Sequence, residues 1–129
     1  MEKVTAKYDL TDLNSFKDYL FNKIDAKTQS IIAQGFAFDG NTFSLSLAAQ
    51  SNWTNIKTNK VDFAAAGLFP LQISTIDNNT YMLSEANVEN FWSAGLVAVK
   101  GAYTSGADIK KLVFDATTIE ELELIEDNR

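Results

Sequence analysis

Residues 36–45 read FAFDGNTFSL. Two aromatic arms flank Asp39 and Gly40. This pair is either a carboxylate-bearing binding loop or a tight turn between two strands. Aspartate followed by glycine suits a two-residue type I′ turn, because both central residues need positive φ. With Asp39 and Gly40 at the centre, Phe38 faces Asn41 and Phe36 faces Phe43. Phe36, Phe38, Phe43 and Leu45 then share one face, and the aromatic cross-strand pair supports the register. The stretch reads as a β-hairpin whose apolar face must pack on something.

Working outward from it, the flanking segments carry helical spacing. Upstream, residues 1–8 alternate, with Val4, Ala6 and Tyr8 pointing one way in an extended segment. Asp9, Thr11 and Asp12 then suit a helix N-terminus, since their oxygens accept orphan N–H groups. Leu13, Phe16, Leu20 and Ile24 recur at helical spacing, Tyr19 and Phe21 widen the apolar face, and Asp25, Lys27 and Gln29 face solvent. Ile31 and Ile32 continue the helix, and Gly35 is a natural terminator. Downstream, Ser46 caps a short helix with a partial stripe of Leu47, Trp53 and Ile56. Helical character extends towards Gly67, and Pro70 blocks continuation.

Residues 71–76 and 80–83 form a second hairpin around the turn residues Asp77, Asn78 and Asn79. Ser84 and Glu85 open a long helix whose stripe is Val88, Phe91, Trp92, Leu96, Val99 and Tyr103, resumed by Ile109, Leu112 and Val113. Gly95, Gly101 and Gly106 each weaken a helix by about 1 kcal/mol relative to alanine. They permit close packing on another backbone or mark a kink near Gly106. Thr118 and Glu121 form a capping box for a last short helix that buries Leu122 and Ile125.

The fold class is therefore α+β: an N-terminal helix, two β-hairpins separated by a short helix, a long C-terminal helix and a final short helix. The expected organisation is an N-terminal extension and helix over 1–27 and a small α+β domain over 28–129, together one compact unit. Isolated hairpins are weak, so the two should pair into one sheet or be covered by helices.

Composition excludes more than it includes. The chain has 129 residues, 46% hydrophobic, which suits one domain with a modest core. It contains no histidine and no cysteine. Disulfides, thiolate nucleophiles, cysteine-ligated zinc and the commonest general base are thereby removed. Seventeen acidic against eleven basic residues give a net charge of −6, which repels a phosphate backbone. The pairs Lys57 with Lys60 and Lys110 with Lys111 are too small to reverse that field. No run approaches the roughly 20 apolar residues of a membrane span, and the charged start lacks a signal's apolar core. A soluble chain with no nucleic-acid or membrane partner is expected. The glycosylation triplets at Asn52 and Asn78 are chance matches on that reading.

Paired carboxylates could do acid–base work if their environments separated their pKa values. Asp39 and Asp77 fall in turns, and Glu120, Glu121, Glu123, Glu126 and Asp127 lie in or after a capped helix, where the helix dipole suits first-turn acids. Asp77, Asn78 and Asn79 lack the spacing of a calcium loop. No P-loop, dinucleotide fingerprint or nucleophile elbow occurs. No catalytic, cofactor-binding or metal-ligating residue is expected, and no cofactor. Trp53 and Trp92 are read first as core anchors, then as interface residues, then as carbohydrate-stacking rings.

Three segments, IIAQGFAFDGNTFSLSLAAQSNW (31–53), STIDNNTYMLSEANVENFW (74–92) and DATTIEELELI (115–125), carry a resemblance in their order and spacing. They are similar to a phage domain of unknown function found at the C-terminal end of tail-fibre-assembly-like and other virion-associated proteins. The resemblance covers about residues 28–125 and brings no catalytic motif. It implies a bacteriophage origin and a non-enzymatic structural or adaptor role in the virion: tail, fibre, baseplate or head decoration. Other virion proteins and copies of the chain are the implied partners. The candidate interface residues are Phe36, Phe38, Phe43, Trp53, Trp92 and Tyr103. Two alternatives stand beside this reading: a tail-fibre assembly chaperone absent from mature particles, and a small enzyme or glycan-binding module. The last would need a tryptophan in an open cleft beside Asp39 or Asp77.

Overall fold

The computed structural model describes residues 8–129. The extended segment expected around Val4 and Ala6 lies outside them. Helix α1 spans Leu13–Ala33. Asp12 caps it, its carboxylate accepting from the Ser15 N–H at 2.9 Å. Gly35, at φ +77°, ends it. Strands β1 (Phe36–Phe38) and β2 (Asn41–Phe43) follow in the expected register, Phe36 opposite Phe43 and Phe38 opposite Asn41. Asp39 and Gly40 both adopt positive φ, 50° and 75°.

Helix α2, Leu47–Thr58, starts at Ser46, whose hydroxyl accepts from the Ala49 N–H at 3.1 Å. A separate helix α3, Lys60–Ala65, precedes Gly67 at φ +70° and a cis Phe69–Pro70 bond. Strands β3 (Leu71–Ser74) and β4 (Thr80–Leu83) pair antiparallel. A 3₁₀ turn, Glu85–Asn87, leads into α4, Val88–Asp115, which is helical through Gly106. Helix α5, Ile119–Glu123, closes the order. Thr118 accepts from the Glu121 N–H as its capping box requires, while the Glu121 carboxylate accepts from Thr117 N–H, one residue earlier than the motif places it.

Chain contacts divide the described residues into two compact units: 8–30 with Gly101–Arg129, and Ile31–Lys100. The apolar stripe of α1 explains it. Leu13, Phe16, Leu20, Phe21 and Ile24 pack with Ile109, Val113, Ala116, Leu122 and Ile125 in the core of the first unit.

In the second unit the hairpin face expected from FAFDGNTFSL becomes the core. Phe36, Phe43, Leu45, Trp53, Ile56, Leu83, Val88, Phe91 and Val99 are buried together. Phe91 is the hub, its ring 4.9 Å from Phe43, 5.3 Å from Phe38 and 5.4 Å from Phe36. Burying one such ring contributes about 1.5–3 kcal/mol, and each favourable aromatic pair about 0.5–1.5 kcal/mol more. Gly95 lies against this cluster. A Cβ there would stand 2.8 Å from Trp53 Cη2, so glycine is what lets the indole approach α4. The hairpins remain two separate two-stranded sheets. They meet where the Ile76 N–H donates to the Thr42 carbonyl at 2.8 Å and the Tyr81 hydroxyl donates to Asp39 at 2.7 Å.

Along α4 the buried positions are Val88, Phe91, Gly95, Val99, Ala102, Gly106 and Val113. This line advances by three or four residues at a time as far as Gly106 and by seven from there to Val113, with small residues at several places. Tyr103 and Leu112 fall one residue off it and are more than half exposed, against the expected stripe.

Candidate interaction sites

Of the candidate interface residues, Phe36, Phe43 and Trp53 are at most 6% exposed. They are core residues and offer almost no surface to a partner. Phe38 is half-buried against Phe91 and Tyr81. Trp92 is half-buried too. Its Nε1 donates to Thr54 Oγ1 at 3.3 Å, and Lys57 Nζ sits 4.3 Å above its ring, so that face is already used. Tyr103 alone among the candidates is mostly exposed. Asp39 and Asp77 are both engaged in their turns, Asp39 with Tyr81 and Asp77 with Thr75 and Asn79. Burial, followed by the Asp39 hydrogen bond and charge, pushes the Tyr81 hydroxyl above its ordinary range. Neither aspartate stands beside an open tryptophan face. Among the described residues, no group of three His, Cys, Asp or Glu could hold a metal, and no helix is long and apolar enough to cross a membrane. The basic side chains Lys60, Lys110 and Lys111 pair with Glu89, Asp25 and Asp115.

The unit of residues 31–100 contains a cleft of about 490 Å³ between β3, β2 and α2. Its floor is aromatic, from Phe43, Trp53 and Phe91, and its rim carries Asn52, Gln72, Ser74 and Asn78. The Trp53 Nε1 is buried and has no protein partner. Strand geometry sets the walls. The Thr75 N–H donates to the Asn79 carbonyl at 2.8 Å and closes the second hairpin. Bonded pairs alternate along an antiparallel ladder, so Ile73 with Tyr81 and Leu71 with Leu83 are the next bonded pairs. The main-chain groups of Gln72 and Ser74 therefore point away from β4. Ile76 has the same parity, and its N–H does reach outward, to Thr42. Beyond that single bond the outer edges of β2 and β3 run unpaired along the cleft among the described residues.

The other unit is organised around a residue the sequence reading passed over. The Arg129 side chain is only 11% exposed. Its Nε and Nη2 donate to Asp127 at 2.8 Å each, and Nη2 also donates to the Ile24 carbonyl at 3.0 Å. Nη1 reaches Thr28 Oγ1 (2.9 Å), the Ala102 carbonyl (3.0 Å) and Ser105 Oγ (3.2 Å). All five guanidinium hydrogens are thus engaged, tying the chain beyond α5 to both α1 and α4. Gly106 makes the room: a Cβ there would meet Thr28 Oγ1 at 2.6 Å and Arg129 Nη1 at 2.9 Å. The Arg129 hydrogen bonds hold the Asp127 carboxyl below its ordinary value of 3.8. The sequence held one signal for this socket, Thr28 four residues after Ile24 on the buried stripe of α1. A second depression, about 340 Å³, is lined by Leu112, Leu124 and Ile125 with Asp115 and Glu121 at its rim.

A family model described as a domain of unknown function, DUF4376, matches residues 17–127. The chain belongs to this family. The match begins within α1, eleven residues before the span carried by the quoted segments, and so takes in the stripe from Leu20 to Ile24. No curated protein and no solved structure matches the chain.

Proposed function

We propose that the chain is a non-enzymatic structural or adaptor protein of a bacteriophage virion, acting through contacts with other virion proteins and with copies of itself. The observation that carries the protein-contact part is the depression at Leu112 and Leu124. These side chains are 58% and 83% exposed, with acidic groups at the rim. An apolar patch rimmed by polar groups is the usual form of a protein docking surface. The phage part is supported by the resemblance of the three sequence segments. Tail, fibre, baseplate and head-decoration positions all suit it.

Particle composition tests the reading. Mass spectrometry of purified particles from a host producing the chain should find it at stoichiometric level. Its absence from mature particles, with presence on assembling fibres, would replace this reading by that of an assembly chaperone. Absence from both would overturn the virion assignment.

A further inference from the structure

We propose that the cleft between β2 and β3 receives an extended segment of a partner polypeptide, which adds to the outer edge of β3 as an extra strand. The proposal rests on the reading that the chain works through protein contacts and names where and how. It requires no particular position in a particle.

Three features select this occupant. The first is the edge itself. Gln72 and Ser74 present main-chain N–H and C=O groups away from β4, with no partner among the described residues. Such an edge is complementary to another extended backbone, whose alternate residues supply the matching acceptor and donor. The second is charge. No ionisable side chain lines the cleft. The side chains of Asn52, Gln72, Ser74 and Asn78 make no hydrogen bond among the described residues, so neutral amide and hydroxyl groups are offered throughout. Peptide groups meet them without leaving a charge desolvated. The third is the partly exposed apolar lining of Ala49, Ile73 and Ile76, which favours apolar side chains at every second position of the entering strand. A saccharide would need an open ring face for stacking, and Trp53 is only 6% exposed. β3 has four residues, so the paired stretch spans about 13 Å at about 3.3 Å per residue.

The test uses the full chain and a display library of random heptapeptides. Enriched peptides should carry apolar residues at alternate positions. N-methylation of the alternate residues whose N–H groups face β3 should weaken binding at least about tenfold; methylation of the intervening residues should not. Ser74→Pro removes one edge donor without touching the β3–β4 ladder and should weaken binding comparably, because proline is tolerated at strand edges. Asn52→Trp, at an exposed position of α2, should block the cleft from the helix side and guards against misfolding of the proline variant. No enrichment, or binders indifferent to N-methylation and to both substitutions, would overturn the proposal. A chain absent from virions that still binds such peptides loses the virion reading and keeps this one. A chain present in virions that binds none loses only this one.

Discussion

Arg129→Ala should cost the unit of residues 8–30 and Gly101–Arg129 about 2–3 kcal/mol. The figure follows from the socket. Hydrogen bonds to a charged group contribute about 1.5–3 kcal/mol each, but they are not additive here, because three acceptors share the two hydrogens of Nη1. The Asp127 pair is 11% and 18% exposed, so the carboxylate left without its guanidinium counts towards the upper end of this range. The two hydroxyls of the socket are not left as orphans. Thr28 Oγ1 still donates to the Ile24 carbonyl at 3.1 Å, and Ser105 Oγ to the Ala102 carbonyl at 3.1 Å. What is lost is the cross-tie between α1, α4 and the 124–129 segment. Tryptophan emission is blind to it, since Trp53 and Trp92 both belong to the other unit. Amide exchange at Ile24 and Val113, both in the affected core, is the suitable assay. It should accelerate about 30- to 150-fold, given tenfold per 1.4 kcal/mol. Arg129→Lys should recover little, because one ammonium cannot span the same forked set of acceptors. Gly106→Ala supplies the decisive cross. Alone it should destabilise, despite a helix-propensity gain of about 1 kcal/mol, since the new Cβ meets Thr28 and Arg129. In the Arg129→Ala background it should cost less, because the contact with Arg129 is gone while that with Thr28 Oγ1 remains. Additivity of the two substitutions within about 0.5 kcal/mol would refute the socket.

Three further outcomes are expected. Gly40→Val should cost about 1–2 kcal/mol by backbone strain alone, because φ is +75° and the space around it is open; unchanged thermal stability would refute the turn. Gly95→Ala should cost about 1–3 kcal/mol by overpacking against Trp53, read as a shift in the tryptophan-detected urea midpoint. Asp127, whose carboxyl is held low by Arg129, contributes stability that is complete above about pH 4 and lost as pH falls through its lower folded value. Asp127→Asn should therefore flatten the acid side of the stability profile of that unit.

Local chemistry was legible in the sequence where neighbours alone decide the outcome. Asp39 and Gly40 needed only each other to turn the chain, Ser46 and Thr118 only the next helical turn to cap it. Burial of Phe36 and Phe43 followed from the register. Non-local matters were not legible. The socket joins residues about a hundred positions apart, and arginine near a charged stretch reads as surface. The stripe of α4 was assigned by its large residues, so Tyr103 and Leu112 were counted inward while Ala102 and Gly106, which are buried, were not. The cleft was illegible for a related reason: its walls are main-chain edges, and every sequence has a main chain.

The small residues on α4 carry a consequence for descent. A position that accepts another element's side chain cannot grow without a matching loss across the contact. Gly95 is tied to Trp53, and Gly106 to Thr28 and Arg129. Each should drift only together with its counterpart. Comparison of relatives along this helix should be anchored on these paired absences of side chain, since an outward-facing residue such as Val97 is free to change alone.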